Sequence, residues 1–312
     1  MALGLENVRV GTWTSPTVPT GCTVILPPPG TLGAVAVRGQ SPGIRFAVSL
    51  GPTGKLTVCH GVVLTGASVF GQAAADGVTT WLEEQGVGYP VGSSVVPIVG
   101  AAHLLDRSVH QREGRPTADS GYAACVAASQ VDPPDGAFGA GAGCSIAKVG
   151  GLEAAWRGGQ GVAIRRHGDL VVGAIVANNA VGELRDDHGK WLLRARMPDD
   201  APRYPFVDVF AREGNDGIEE DNTVIGCVVT NARLDKVSAH RVADLAHSGV
   251  DRAVRPSHTY FDGDAMFALA TGEVEAHIDL VATLAAEAVA EACRRGPLAA
   301  TSLVDLPGAA EV

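Results

Sequence analysis

The 312-residue chain is poor in aromatics, with four Trp, four Tyr and seven Phe, 5% in all. A core must therefore be assembled from Ala, Val, Ile and Leu, with backbones drawn close at some of the 40 glycines. Basic clusters are missing as well, and the formal charge is −10. That balance excludes a nucleic-acid partner, which needs a basic face. Long apolar runs are absent: Val171–Ala177 is far short of the roughly 20 residues a membrane span requires. The opening MALGLENVRV lacks the basic and apolar regions of a signal peptide. Cys22, Cys59, Cys125, Cys144, Cys227 and Cys293 form no CxxC pair, which argues against a zinc site or a disulfide framework. The expectation is a cytoplasmic protein with reduced thiols and no membrane partner.

Hydrophobic residues make up 46% of the chain and charged residues 19%, enough for a packed core. Short strands are predicted at Val8–Trp13, Cys22–Leu26, Ala34–Arg38 and Val62–Thr65. A helix follows over Ser68–Gln85, with Val69, Phe70, Ala73, Val78, Trp81 and Leu82 inward, and a second, Ala-rich one over Ala118–Ser129. Gly161–Arg166 and Leu170–Ala177 alternate around His167-Gly168-Asp169, a hairpin signal. Glu183–Asn222 is charged and reads as exposed and partly irregular, with a strand at Trp191–Leu193. Polarity changes at Thr223, where TVIGCVVT has the pattern of a buried strand. Helices at Asp235–Val254, with Val237 inward, and at Ala276–Arg295 flank a short strand at Met266–Ala270, and the tail after Gly296 frays. Hairpin-linked strands alternating with helices fit two mixed sheets with helices outside better than one parallel sheet.

The junction Asp221-Asn222-Thr223-Val224 carries the most chemistry. A polar segment ends on a hydroxyl that opens a buried strand. Such a hydroxyl can attack the carbonyl of Asn222, shift the acyl group from nitrogen to oxygen, and let water release the upstream piece. The α-amine thus freed on Thr223 has an ordinary pKa of about 7.7–8.0, suited to a base at neutral pH. The plain alternative is a loop-to-strand boundary. Lys148 closes the glycine-rich GAGAGCSIAK, which matches neither a Walker loop nor a dinucleotide fingerprint; it reads as a cation beside that amine or as a surface lysine. Asn179, or its neighbour Asn178, is a candidate oxyanion donor or a turn former. Asp262 and Asp264 can orient an amine and a lysine, hold a metal with His240, His247 or His258, or form a simple Asp-Gly turn. Cys144 and Cys227 are candidate thiols or small buried hydrophobes.

Taken in order, VRVGTWT, TGCTVIL, VRGQSPG, LTGASVFGQAAADGV, GAGAGCSIAK, VANNAVG, DNTVIGCVVTNARL and HTYFDGDAMFALATG resemble the DmpA/NylC group of self-cleaving N-terminal nucleophile hydrolases, across Val8 to Thr271. The resemblance implies an α/β fold, a four-layer αββα sandwich, as one hydrolase domain cut into residues 1–222 and 223–312. It implies Asn222–Thr223 as the autocleavage bond, Thr223 as nucleophile, Lys148 and Asn179 as the family's lysine and oxyanion amide, and Asp262 and Asp264 as the acidic pair of the nylon-hydrolase branch. No cofactor or metal is implied. The substrate would be a small peptide or amide oligomer, and the cleaved chains would stay together, commonly as a homotetramer. Related self-cleaving ornithine acetyltransferases make acyl transfer an alternative, and a non-catalytic assembly protein on the same fold is another. Three positions depart from the family: Leu105 stands where a tyrosine is common, Val224 where a second Thr is common, and Ala147 where Gly often precedes the lysine.

Overall fold

Buried apolar runs become strands and amphipathic stretches become helices in the following order: β1 (Arg9–Thr14), β2 (Gly21–Leu26), β3 (Leu32–Gly39), β4 (Ile44–Arg45), β5 (Gly61–Thr65), α1 (Ala74–Glu84), β6 (Val99–His103), α2 (Ala118–Ala127), β7 (Gly159–His167), β8 (Leu170–Asn179), β9 (Thr223–Ala232), α3 (Lys236–Ala253), β10 (Gly263–Val274) and α4 (Ile278–Leu298). The structure, a computed structural model, describes residues 1–198, 200–201, 222–303 and 305–312. Two five-stranded sheets are ordered β1-β2-β5-β6-β4 and β7-β8-β9-β10-β3. Each is mixed, because β5 runs parallel to β6 and β9 parallel to β10 while the other neighbours are antiparallel.

The sheets pack face to face. Ile25, Val62 and Leu64 of the first meet Val35, Ile175, Ile225, Phe267 and Leu269 of the second. On the outer face of the second sheet, Val242, Ala246 and Val250 of α3 and Val281, Ala285 and Val289 of α4 cover Val176, Val228 and Met266. On the outer face of the first, Ala74, Val78 and Leu82 of α1 and Ala124 of α2 cover Val24, Val63 and Val99. The result is the αββα order expected. Strands covered on both faces read as continuous apolar runs, which is why TVIGCVVT was legible as a strand. All six cysteines are free and buried. Among the described residues, no helix is long and apolar enough to cross a membrane.

Several expectations need correction. The helix expected over Ser68–Gln85 is broken into a single turn at Ser68–Gly71 and α1. Ala67 and Ser68 both hold left-handed backbone, with φ of 59° and 56°, so a continuous helix cannot start there. Val69 and Phe70 consequently sit outside the core, 59% and 52% exposed, with the Arg115 guanidinium 4.0 Å over the Phe70 ring. Val237 is exposed as well; it sits in the first turn of α3, next to the Asp235 cap, which accepts from Ser238 N–H at 2.7 Å. The tail is packed: α4 runs on to Leu298, Ala300 and Leu306 are buried, and Ala310 N–H donates to Ala300 O at 3.2 Å. The strand expected at Met266–Ala270 starts at Gly263, so Asp264 belongs to the strand and not to a turn before it.

Within the charged segment, Glu183–Arg185 and Trp191–Leu193 form strands that pair beside Val254–Arg255; residues 202–221 lie outside the described residues. Asp187 ties this part to both outer helices, bonding Arg252 of α3 and Arg294 of α4 at 2.8 Å each. The Arg294 hydrogen bonds, against a burial cost and with Arg252 adding to them, hold its carboxyl down at about 2. A depressed carboxylate stabilises the fold above its unfolded pKa, and that contribution disappears as pH falls through the folded value. Asp187→Asn is therefore expected to lower Tm slightly at neutral pH and to flatten the loss of Tm between 3.8 and about 2. Partial exposure keeps the effect small. Thermal scans across acid pH check it.

Candidate active site

Register brings the first two residues of the site together. In the antiparallel pairing of β8 with β9, Asn179 stands directly opposite Thr223, and Asn178 opposite Val224. Cross-strand partners share a face. Asn178 points to the outer helices, where its amide donates to Cys293 O at 2.9 Å. Asn179 points the other way: its Oδ1 accepts from Ser145 N–H at 2.8 Å and its Nδ2 donates to Leu105 O at 2.8 Å. Alternation along one strand thus separates the two asparagines that sequence alone left as competitors.

Lys148 is only 3% exposed. Its Nζ donates to Asn179 O at 2.9 Å. It leads a single 3-10 turn that follows Ala147, whose φ of 57° is a left-handed value better suited to glycine. A glycine at this position in relatives would meet that backbone demand without strain.

Thr223 opens β9 with its side chain nearly buried. Its Oγ1 donates to the carbonyl oxygen of Asn222, the residue just ahead of it. The same carbonyl accepts from Gly263 N–H at 3.3 Å. Gly263 is crowded in turn, since a Cβ there would lie 2.6 Å from Ser41 O and 3.2 Å from Thr223 Oγ1. A glycine at the start of β10 is thus what lets two strands meet at this carbonyl. Sequence reading passed over Gly263; its one signal was its place between two candidate aspartates.

Asp264 Oδ1 accepts Val224 N–H at 2.5 Å, and its Oδ2 lies 2.6 Å from His258 Nδ1. Asp262 Oδ2 accepts Thr259 N–H, while its Oδ1 is buried with no hydrogen-bond partner among the described residues. Burial, and then the neighbouring Asp264, push the Asp262 carboxyl up to about 6, with Lys148 pulling the other way. His240 and His247 turn to the carbonyls of Val35 and Ala36. Among the described residues, no three His, Cys, Asp or Glu side chains are placed to hold a metal ion. Burial raises the Cys144 and Cys227 thiols far above neutral pH, so neither is a ready thiolate.

Thr223 faces a cavity of about 330 Å³ lined by Ser41, Ser68, His103, Leu105, Tyr260 and Phe261. Ser68 reaches it through the left-handed backbone at 67–68, which Asp106 holds by accepting Ala67 N–H at 3.1 Å. Buried Asp106 also accepts from Thr20 Oγ1 at 2.7 Å and from Ser108 N–H at 3.1 Å. Nδ1 of His103 faces Gln72 Nε2 at 2.9 Å. No role for Ser41, Ser68, His103 or Tyr260 was legible in the sequence. Ser41, Ser68 and Tyr260 lie in segments that carried the family resemblance, and His103 gave no signal beyond a lone histidine after an apolar run.

The architecture defines the class first. Over 98% of this chain and 90% of the other, it superposes with a TM-score of 0.72 on the L-aminopeptidase D-Ala-esterase/amidase of Ochrobactrum anthropi, described as a variant of the Ntn hydrolase fold, at 18% identity. The chain therefore has an Ntn-hydrolase fold. Residues 4–309 match Peptidase family S58, and the chain belongs to that family, hydrolases of amide bonds. Among its relatives, an uncharacterized aminopeptidase of Mycobacterium tuberculosis is 39% identical over 265 residues, 81% of this chain and 74% of the relative. A 6-aminohexanoate-oligomer endohydrolase of Agromyces sp. is 32% identical over 262 residues, 82% of this chain and 71% of the relative.

Proposed function

We propose that the chain is made as a precursor, cuts itself between Asn222 and Thr223, and then hydrolyses amide bonds with Thr223 as its N-terminal nucleophile. The observation that carries this reading is the hydrogen bond from Thr223 Oγ1 to the Asn222 carbonyl, at the head of a buried strand and at the edge of a cavity. In the maturation step Oγ1 adds to the Asn222 carbonyl carbon, and the Gly263 N–H faces the oxygen on which negative charge develops. Collapse expels the Thr223 nitrogen and leaves an ester; water then cleaves the ester, giving the Asn222 carboxylate and a free α-amine on Thr223.

That amine is the base for turnover, taking the Oγ1 proton as the hydroxyl attacks a substrate amide in the same cavity. Asn179, opposite Thr223, is the oxyanion donor. Lys148 and the Asp262/Asp264 pair set the charge around the amine. The acyl-enzyme is released by water. Relatives that include an aminopeptidase and an oligomer endohydrolase support a substrate with a short linear backbone, either a peptide or an ω-amino-acid oligomer.

N-terminal sequencing of the purified protein is expected to yield a second chain beginning Thr-Val-Ile-Gly. Absence of that sequence in active protein would sink the self-cleavage reading. Assays with α-aminoacyl and β-aminoacyl amides and with 6-aminohexanoate oligomers then rank substrates. Faster transfer of the acyl group to an ornithine-like amine than to water would convert the assignment to an acyltransferase.

A further inference from the structure

Behind the acidic pair lies a contact that this mechanism does not use. His258 is largely buried and holds a left-handed backbone, with φ of 52°, a conformation non-glycine residues keep only when their surroundings impose it. Its Nδ1 lies 2.6 Å from Asp264 Oδ2. Its Nε2 lies 3.4 Å from the His247 carbonyl oxygen and 3.5 Å from Asp251 Oδ1. All three partners are acceptors. A neutral imidazole donates from one nitrogen and accepts at the other, so it would turn a lone pair toward one of these oxygens. Only the doubly protonated ring satisfies both sides.

The two aspartates differ in the same sense. Both Asp264 oxygens are engaged, one by Val224 N–H and one by His258. Asp262 has one engaged oxygen and one with no hydrogen-bond partner among the described residues. Two buried carboxylates this close do not ionise equally, and the better-partnered one keeps the charge. Resting on the nucleophile reading above, we propose that His258 is a positioning residue whose imidazolium keeps Asp264 as the standing anion of the pair and so leaves Asp262 as the member that carries the exchangeable proton beside Lys148.

The surroundings agree. Burial alone would drive His258 down, but the Asp264 hydrogen bond and the charges of Asp264 and Asp251 outweigh it, and the net direction is up. His247 of α3 packs edge-on at 5.0 Å and stays neutral, pushed down to about 3 by burial and by His258. Beyond His247 the Arg38–Asp244 bridge closes the site from β3 and α3. Cys293 of α4 faces Asp264 as an un-ionised thiol, and Lys148 faces Asp262. A raised histidine holds its proton to higher pH than a free one and loses it as pH rises through the folded pKa.

Two measurements test the assignment. Long-range ¹H–¹⁵N imidazole spectra of the full-length Thr223→Ala protein, with His258 assigned by its disappearance in Thr223→Ala/His258→Gln, need no turnover. Both ring nitrogens are expected to be protonated at pH 7, and a neutral tautomer overturns the proposal. In the active enzyme, His258→Gln keeps a donor but loses the charge. The acid-side inflection of kcat is expected to rise by about one pH unit, so that kcat falls about tenfold well down the acid limb and about twofold at pH 7, with KM within about twofold. His258→Lys, which restores a charge, is expected to move the inflection back. An unmoved inflection in a folded His258→Gln enzyme also overturns it. If Thr223→Ala retains turnover, the nucleophile reading fails, while the ring's protonation is still decided by the spectra.

Discussion

Thr223→Ala is expected to remain a single chain of 31.9 kDa, where the wild type is expected to separate under denaturing conditions into pieces of about 23 and 9 kDa by proportion of length. Its hydrolytic rate should fall by at least about 10³-fold, the scale on which loss of a nucleophile is felt when the rest of a site survives. Folding should hardly be affected. The substitution removes a hydroxyl and a methyl at the head of β9, and leaves intact both the Val224–Asp264 hydrogen bond and the Gly263–Asn222 contact. Thr223→Ser, which keeps the oxygen, should still divide. Intact-mass spectrometry reads the cut and a chromogenic amide reads the rate. A Thr223→Ala protein that still splits at the same bond refutes the mechanism outright.

Lys148→Met is expected to have the next largest effect, a fall in kcat of about 10²- to 10⁴-fold with a smaller change in KM. The ammonium is buried on Asn179 O, 2.9 Å away, and its charge joins the Thr259 hydrogen bonds in pulling the Asp262 carboxyl down against the burial and the Asp264 charge that raise it to about 6. Without it, Asp262 moves further up, so a larger fraction is protonated at neutral pH and the acid limb of the rate profile shifts to higher pH. Stability should behave differently. Removing one partner of a buried charged group ordinarily destabilises, but Asp262 can neutralise itself by taking up a proton, so Tm should fall far less than kcat. A parallel loss of both would mark Lys148 as structural.

Much of the architecture was legible because its strands are covered on both sides, which forces continuous apolar runs such as Thr223–Thr230. The strand β6 was not. Its sequence, VGAAH, carries no bulk because Gly100 receives the ring of Phe267 from the opposite sheet; a Cβ at Gly100 would lie 2.7 Å from that ring. Small residues facing a large partner leave no alternation to read. The break before α1 was hidden for a related reason: left-handed backbone at Ala67 and Ser68 is imposed by Asp106, nearly 40 residues further on, and no local pattern announces it.

Five candidate residues, Thr223, Lys148, Asn179, Asp262 and Asp264, came forward from the sequence; the fold sets Asn179 opposite Thr223, Lys148 on the Asn179 carbonyl and Asp264 on Val224 N–H. The cavity wall did not come forward. Ser41, Ser68, His103 and Tyr260 arrive from four separate stretches and meet only through the pairing of β6 with β5 and the turn before β10. Spacing along the chain carries no trace of such a meeting. His258 shows the same limit, since its bearing on the acidic pair depends on both of its ring nitrogens finding oxygen, which only coordinates reveal.

The strand order β7-β8-β9-β10-β3 sets how the two halves would live after severance. Strands β9 and β10 belong to the downstream piece, yet they are wedged between β8 and β3, both of the upstream one. Helices α3 and α4 travel with the wedge and seal it from outside. Breaking one peptide bond at the tip of β9 removes no rung of either ladder, so the shorter piece has no route out that does not tear the sheet on two sides. The upstream half keeps the first sheet whole but holds only β7, β8 and β3 of the second, and the downstream half holds only β9 and β10, so reassembly from separately purified halves should fail even though a nicked molecule would endure.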